Sequence, residues 1–431
     1  MTPAGRASAA IEVLTDLAAR KRPASEALKD WGTAHRFAGS GDRAAIGSLV
    51  FDCLRQRASL GAVMEDDSPR ALVLRALASA WGMSPESVDT LFDGKRFAPD
   101  PLTDAERAGL ARALSPDVPA AVRGDYPAWL EEAFAAVFGE DAAAEGAALS
   151  VRAPVDLRVN TLKANRDKVL KALARFAPQP TTYAPHGLRI APRQGPARTP
   201  HVEADAAHGK GWLEVQDEGS QIAAAMTGAG RREQVIDLCA GAGGKTLALA
   251  AAMENTGQLY AYDANRMRLR PMFDRLRRAG ARNVQVLEGG VDAGLAPLTG
   301  RMDRVVIDAP CSGSGTWRRR PDAKWRLTPE MLSARMAEQA AVLDAGAGLV
   351  KPGGWLTYIT CSVLPGENRE QVDGFLARHP EFGLKPWREA WEGAIEIDAP
   401  ASADGSDETL LMTPRSHGTD GFFVATLERR A

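Results

Sequence analysis

Cys311 and Cys361 are the residues of this chain whose type and placement point most directly to chemistry. Val305-Val-Ile-Asp308 leads into Ala309-Pro310-Cys311-Ser312-Gly313-Ser314-Gly315, and the run from Trp355 to Thr360 leads into Cys361-Ser362. Short apolar runs bounded by Gly, Pro and Ser read as strands, so both thiols are expected at strand exits, close to the Asp308 carboxylate. A cysteine is ordinarily a small buried apolar residue, and Cys53, on an apolar helical stripe, is read that way. Cys239 is expected to pack beside a glycine turn. No two of the four cysteines form a C-x-x-C pair, so no zinc site is expected. Four thiols in 431 residues are no disulfide framework, and a reducing, cytoplasmic setting is expected.

A second constellation lies upstream. Val235-Ile-Asp-Leu238 is followed at once by Cys239-Ala240-Gly241-Ala242-Gly243-Gly244-Lys245-Thr246 and an alanine-rich stretch. That is a strand, a glycine-rich turn and a helix, whose free N–H groups suit a ligand approached closely by backbone. A phosphate-binding P-loop would need a glycine where Cys239 stands, which argues against that reading. The next strand ends at Asp263, at the distance from Gly243 where an acid can take ribose hydroxyls in nucleotide-binding α/β folds. The competing reading of Asp263 is a helix N-cap.

Two thiols and an aspartate beside a methyl donor have a definite use. Carbon 5 of a pyrimidine is a poor nucleophile. A thiolate added to carbon 6 makes an enamine that can take a methyl group, after which the carbon 5 proton must leave and the thiolate must be expelled. A covalent nucleophile, an acid near the ring and a group assisting elimination are what that reaction requires.

These residues need elements to hold them. Residues 1–140 carry helical stripes: Ile46, Leu49, Val50, Cys53 and Leu54; Leu74, Leu77, Ala78 and Trp81; Leu130, Ala133, Phe134, Val137 and Phe138. Residues 141–210 mix short strands at Leu157 and Val159 and at Leu188 and Ile190 with a helix around Val169, Leu170 and Leu173. From 211 to 431 strands alternate with helices, at Val235–Leu238, Leu259–Asp263, Val284–Leu287, Val305–Asp308, Trp355–Thr360 and Phe422–Leu427. This alternation predicts an α/β fold, a parallel doubly wound sheet with ligands beyond its carboxyl strand ends. The polar stretch from Asp398 to Gly418 is expected to be a mobile loop. No run of about 18 apolar residues occurs, so no membrane span is expected, and Arg6 is followed by no signal-peptide core.

The chain resembles the Sun/Nop-type (Fmu-like, RsmB-like) RNA cytosine-5 methyltransferases. The resemblance is carried by the turn 239–246, the segment 308–315, Thr360-Cys361-Ser362, Gln216-Asp217-Glu218, Asp420-Gly421-Phe422-Phe423, and Arg158-Val-Asn-Thr-Leu-Lys163. It implies three parts: an all-α NusB-like RNA-binding domain, a small α+β RNA-binding subdomain, and a Rossmann-like class I methyltransferase domain that takes S-adenosyl-L-methionine. By the resemblance Cys361 is the nucleophile, Cys311 assists product release, Asp308 contacts the cytosine ring and borders the cofactor, and Lys245 lies near the cofactor or Asp308. The cofactor residues are then Cys239, Ala240, Gly241, Ala242, Gly243, Gly244, Lys245, Asp263 and Asp308. The family's acid after the third strand has no secure counterpart among Glu288, Gly290 and Asp292. The expected partner is RNA, ribosomal RNA ahead of transfer RNA, which stays open as the alternative, acted on by a monomer. DNA methylation and a catalytically inactive RNA-binding assembly factor are the rival readings; the second thiol argues against the first, and the retained Asp308, Cys311, Cys361 and Lys245 against the other.

Lys+Arg 53 against Asp+Glu 55 gives a net charge of -2, so any nucleic-acid surface must be local. Trp317-Arg318-Arg319-Arg320 with Lys324-Trp325-Arg326 beyond it offers phosphate contacts interleaved with stacking groups. Arg318, Arg319 and Arg320 are therefore the expected RNA-binding residues. Most of the run Arg266, Arg268, Arg270, Arg275, Arg277 and Arg278 is read as a solvated helical face.

Overall fold

The computed structural model describes residues 1–287 and 294–431. The chain divides into two compact units. One comprises Met1–Ala153 with two excursions, Pro192–Thr199 and Trp317–Leu327; the other comprises Pro154–Ala191, Pro200–Thr316 and Thr328–Ala431.

The first unit is helical. Its predicted stripe falls on the helix Ser40–Arg55, where Ile46, Leu49, Val50, Cys53 and Leu54 are buried. Leu74 and Leu77 are buried on Pro69–Ser79, a helix started by the Ser68 cap and a following proline. Trp81 falls beyond that helix, and its indole N–H donates to Asp52 at 3.0 Å. Helix continues through Ala142–Ala148, past the expected boundary at 140, because that stretch is dominated by the best helix former.

The second unit holds two sheets. The smaller has the order β2-β3-β1-β4, from β1 (Val155–Val159), β2 (Gln179–Pro180), β3 (Gly187–Ile190) and β4 (Leu213–Val215). β4 pairs antiparallel with β1, so this sheet passes the expected boundary at 210. Leu157, Val159, Val169, Leu188 and Leu213 form its core.

The larger sheet is built from β5 (Gln234–Asp237), β6 (Gln258–Ala261), β7 (Val284–Val286), β8 (Met302–Asp308), β9 (Val350–Thr360), β10 (Phe382–Lys385), β11 (Leu410–Met412) and β12 (Phe422–Arg429). Its order is β10-β12-β9-β8-β5-β6-β7, with β11 beside β12. Strands β7-β6-β5-β8-β9 are parallel, as expected. The sheet as a whole is mixed, because β12 runs antiparallel to β9, and β10 and β11 run antiparallel to β12.

The segment 398–418 is not the mobile loop its polarity suggested. It contains β11 and the short helix Pro414–His417, and Leu410, Leu411, Met412 and His417 are buried. Its polar side chains serve its own backbone. Ser402 Oγ accepts from the Leu411 N–H at 2.8 Å and His417 Nδ1 from the Thr413 N–H at 3.1 Å.

Candidate active site

Three adjacent strands deliver the functional loops to one edge of the large sheet. β5 ends at Asp237 and β8 at Asp308, and Asp308 is opposite Ile359 of β9. The glycine turn, the Cys311 loop and Cys361 thus leave the carboxyl ends of neighbouring strands, where α/β sheets bind ligands.

The two thiols meet. Cys311 Sγ and Cys361 Sγ are 3.4 Å apart, both unoxidised and partly exposed. The hydrogen bond to Cys361, burial and the charge of Glu367 push the Cys311 thiol well above its ordinary pKa. Beyond the neighbouring strand β5, Lys245, buried in the first turn of the helix Gly244–Ala252, brings Nζ to 2.7 Å from Asp308 Oδ1. The same ammonium lies 5.1 Å over the Phe422 ring, a cation–π contact that fixes the side chain from its other side.

The glycine turn is built for close backbone approach. Gly241 and Gly243 have φ of 51° and 87°, and a Cβ on Gly243 would meet Met272 Cγ at 2.8 Å. Gly244 borders open space. Beneath the turn, Asp237 Oδ2 accepts from Thr246 Oγ1 at 2.7 Å, while Oδ1 is buried without a hydrogen-bond partner. Burial, resisted by the Thr246 hydrogen bond and reinforced by Asp308, pushes Asp237 up to about 7. The Cys239 thiol is also raised, by burial first and then by Asp237, Asp308 and Asp263. Ala240 and Ala242 complete the turn; the Ala242 carbonyl accepts from Arg275 at 2.8 Å.

Asp263 is 4% exposed. Its carboxylate accepts from the Gly241 N–H at 3.0 Å and the Asn265 N–H at 2.9 Å, and pairs with Arg268 at 3.1 Å. It pins the glycine turn to the end of β6. The helix Arg266–Ala279 is capped by Asn265, which removes the N-cap reading of Asp263. Glu288, Gly290 and Asp292 lie outside the described residues.

The arginines divide differently from expectation. Arg318 is 3% exposed and cannot present its side chain to RNA; Arg319 is half-buried and Arg320 exposed. The segment is held inside the helical unit. Trp317 stacks on Phe134 at 6.1 Å between centroids, and Arg55 Nε donates to the Arg318 carbonyl at 2.8 Å. Lys324, wholly buried, donates to the Arg55 carbonyl at 2.8 Å and to Ser150 Oγ at 2.9 Å. In the other run, Arg275 and Arg278 pair with buried Glu214 rather than facing solvent.

Several motifs turn out to be joints. Asp217 caps the helix Glu218–Ala225 and accepts from the Asp420 N–H at 3.0 Å, tying Gln216-Asp217-Glu218 to Asp420-Gly421-Phe422-Phe423. Asn160 donates to the Gly211 and Ala279 carbonyls, both at 2.8 Å, and Lys163 to the Arg278 carbonyl at 2.6 Å. The Arg158–Lys163 motif therefore closes the C-terminus of the helix Arg266–Ala279. Glu367, which no motif in the sequence marks as part of the site, is fully buried between the two thiol loops. Its only signal was an acid followed by Asn368, six positions after the second cysteine and just before a helix.

A Rossmann-like sheet with a glycine turn, a lysine–aspartate pair and two thiols along its carboxyl edge is the architecture of a class I methyltransferase. The family model described as 16S rRNA methyltransferase RsmB/F matches residues 226–428, and the ferredoxin-like domain of RsmF/B-like methyltransferases matches residues 126–194. A probable ribosomal RNA small subunit methyltransferase B of Synechocystis is 34% identical over 310 residues, covering 70% of this chain and 67% of the relative. Ribosomal RNA small subunit methyltransferase B of Sodalis glossinidius is 32% identical over 351 residues, covering 78% and 75%. The crystal structure of PH0851 superposes with a TM-score of 0.73 at 26% identity, over 100% of this chain and 99% of that one. The chain belongs to the RsmB/F methyltransferase family.

Proposed function

We propose that the protein is an S-adenosylmethionine-dependent methyltransferase that forms 5-methylcytidine in small-subunit ribosomal RNA. The family relationship supports the substrate class, and the observation that carries the chemistry is the 3.4 Å approach of Cys311 and Cys361 beside the Lys245–Asp308 pair. One thiol alone would serve an addition. Two in contact serve an addition and a proton transfer at adjacent atoms of one ring.

The turn 239–246 fits the cofactor. Its backbone can approach a ligand closely, the helix Gly244–Ala252 opens with free N–H groups, and the unpartnered Asp237 Oδ1 offers an acceptor. Asp263 stands beside the turn to take ribose hydroxyls. When bound, S-adenosylmethionine supplies the methyl group for carbon 5. Cys361 adds its sulfur to cytosine carbon 6, forming a C–S bond and moving the ring's π electrons toward carbon 5. Asp308 contacts the ring edge, and the Lys245 ammonium paired with it steadies the negative charge displaced by that addition. The raised Cys311 thiol is the proton-carrying partner at neutral pH. Once it has passed that proton to solvent, its sulfur takes the carbon 5 proton and releases it to solvent in turn. Those C–H electrons restore the double bond, and the C–S bond breaks to return the Cys361 thiolate.

The test separates the two thiols. Cys361→Ala should lose methylation and form no adduct with RNA containing the target cytosine. Cys311→Ala should attack, methylate and stall, leaving RNA attached through Cys361 in denaturing electrophoresis, and the double variant should show no adduct. An adduct in Cys361→Ala and none in Cys311→Ala would reverse the roles and point to the DNA-type mechanism. Bisulfite sequencing of RNA from a deletion strain identifies the modified cytosine.

A further inference from the structure

Glu367 is fully buried, and its side-chain oxygens hold both thiol loops by the residue that follows each cysteine. Oε1 accepts from the Ser312 N–H at 2.7 Å and from Gln339 Nε2 at 3.0 Å. Oε2 accepts from the hydroxyls of Ser312 and Ser362. Ser312 follows Cys311 and Ser362 follows Cys361, so one carboxylate spans the two loops a single residue from each sulfur. A buried carboxylate without such donors would be costly. With four of them it makes a rigid charge-assisted strap.

The surrounding bonds anchor the strap on its own side. Tyr358 of β9 donates its hydroxyl to the Glu367 carbonyl at 2.7 Å. Asn368 accepts from Thr360 Oγ1 at 2.6 Å and donates to the Ser362 carbonyl at 2.9 Å. Gln339 also donates to the Pro310 carbonyl at 2.8 Å, one residue before Cys311. Besides the contact of the two sulfurs themselves, the loops are joined among the described residues by neutral bonds: Ser314 Oγ to Ser362 Oγ at 2.9 Å, Ser314 Oγ to the Val363 N–H at 2.9 Å, and the Gly315 N–H to the Cys361 carbonyl at 3.0 Å. All three attach beyond Ser312, away from the Cys311 side of the loop.

We propose that Glu367 is a positioning residue that sets the spacing and mutual orientation of the Cys311 and Cys361 thiols. It touches neither sulfur and no reacting atom. The proposal rests on the cytosine-5 reading for its catalytic consequence, because addition at carbon 6 and proton removal at carbon 5 need two sulfurs placed to within a fraction of an ångström. The alternative role is simple loop stability, in which the thiols would keep their spacing without it.

The experiment measures spacing without substrate and catalysis separately. Full-length wild type, Glu367→Gln, Glu367→Ala and Ser312→Ala are compared, after circular dichroism and thermal melting show which are folded. Diamide takes up the two thiol hydrogens as the S–S bond forms between Cys311 and Cys361, read as the loss of two hydrogens by mass spectrometry and of both alkylation sites. Wild type should close readily, Glu367→Ala at least about tenfold more slowly, and Glu367→Gln in between, because the amide keeps one acceptor oxygen. In methylation assays Glu367→Ala should lose roughly 10- to 100-fold in kcat with little change in KM, the scale expected when reacting groups are misplaced by about an ångström. Should Glu367→Ala not fold, Ser312→Ala removes one hydroxyl strap and should show the same direction in both readouts. Cross-linking in folded Glu367→Ala, or in Ser312→Ala if it stands in, as fast as in wild type overturns the positioning role. Slowed cross-linking in the variants, together with a wild type that methylates no cytosine, leaves the positioning role intact and overturns the functional reading instead.

Discussion

Residues 308–316 and 317–327 are neighbours in sequence and opposites in use. Both mix polar groups, small residues and ring or sulfur side chains. The first leaves β8 and places Asp308 against Lys245 and Cys311 against Cys361, with the two thiols still partly exposed. The second, with its Trp-Arg-Arg-Arg opening, has the composition of a phosphate-binding surface. Instead it is packed into the helical unit, with Trp317 and Lys324 fully buried. The difference teaches that a basic and aromatic run does not announce an interface. Arginine and lysine stems bury well along apolar surface, and a buried cation is tolerated when carbonyls, hydroxyls and a nearby carboxylate receive it.

The sharpest way to break that comparison is to remove the buried cation. Lys324 is pushed down by burial and drawn back up by Asp125, itself buried and raised for the same reason. Lys324→Met keeps most of the volume and leaves the buried Arg55 carbonyl and Ser150 hydroxyl without their donor, which should cost about 1–3 kcal/mol of stability for each. Urea denaturation measures it, and a loss below about 1 kcal/mol would mean that the segment contributes little to the helical unit. A smaller effect sharpens the site side of the comparison. Asp263 is also a buried charge with internal partners, but its partner is the glycine turn. Asp263→Ala should weaken S-adenosylmethionine binding by about 1–3 kcal/mol in calorimetry. Unchanged affinity would class Asp263 with Lys324 as purely internal. The smallest effect concerns what remains of the expected RNA surface. Arg320→Ala should lower the salt slope of RNA binding by at most about 0.7–0.9, one phosphate's worth, while Arg318→Ala should leave the slope alone and lower the melting temperature. A slope change in Arg318→Ala would return that residue to the surface.

Much of the site could be read without coordinates because its parts follow strands. The runs ending at Asp237, Asp308 and Thr360 are apolar and β-branched, and each is followed at once by its chemical group. Local sequence thus determined the strand exits, the glycine turn and the identity of both thiols. Glu367 could not be found this way. Its role depends on two loops far apart in the chain meeting around one carboxylate, and nothing in the residues beside it encodes that meeting. The same holds for Arg318, whose neighbours suggest a surface and whose environment is a helical core contributed by residues well over a hundred positions earlier.

What this sequence determined by itself is therefore the periodic part: helices in the first unit, the parallel strands β5 to β9, and the reactive groups at their ends, because hydrophobic period and turn residues act over a few positions. Tertiary structure alone decided the antiparallel edge of β10, β11 and β12, the burial of 317–327, and the contact of the two sulfurs. Each of these is a choice of partner between distant segments, and such a choice is set by which buried polar groups satisfy one another once the chain has folded.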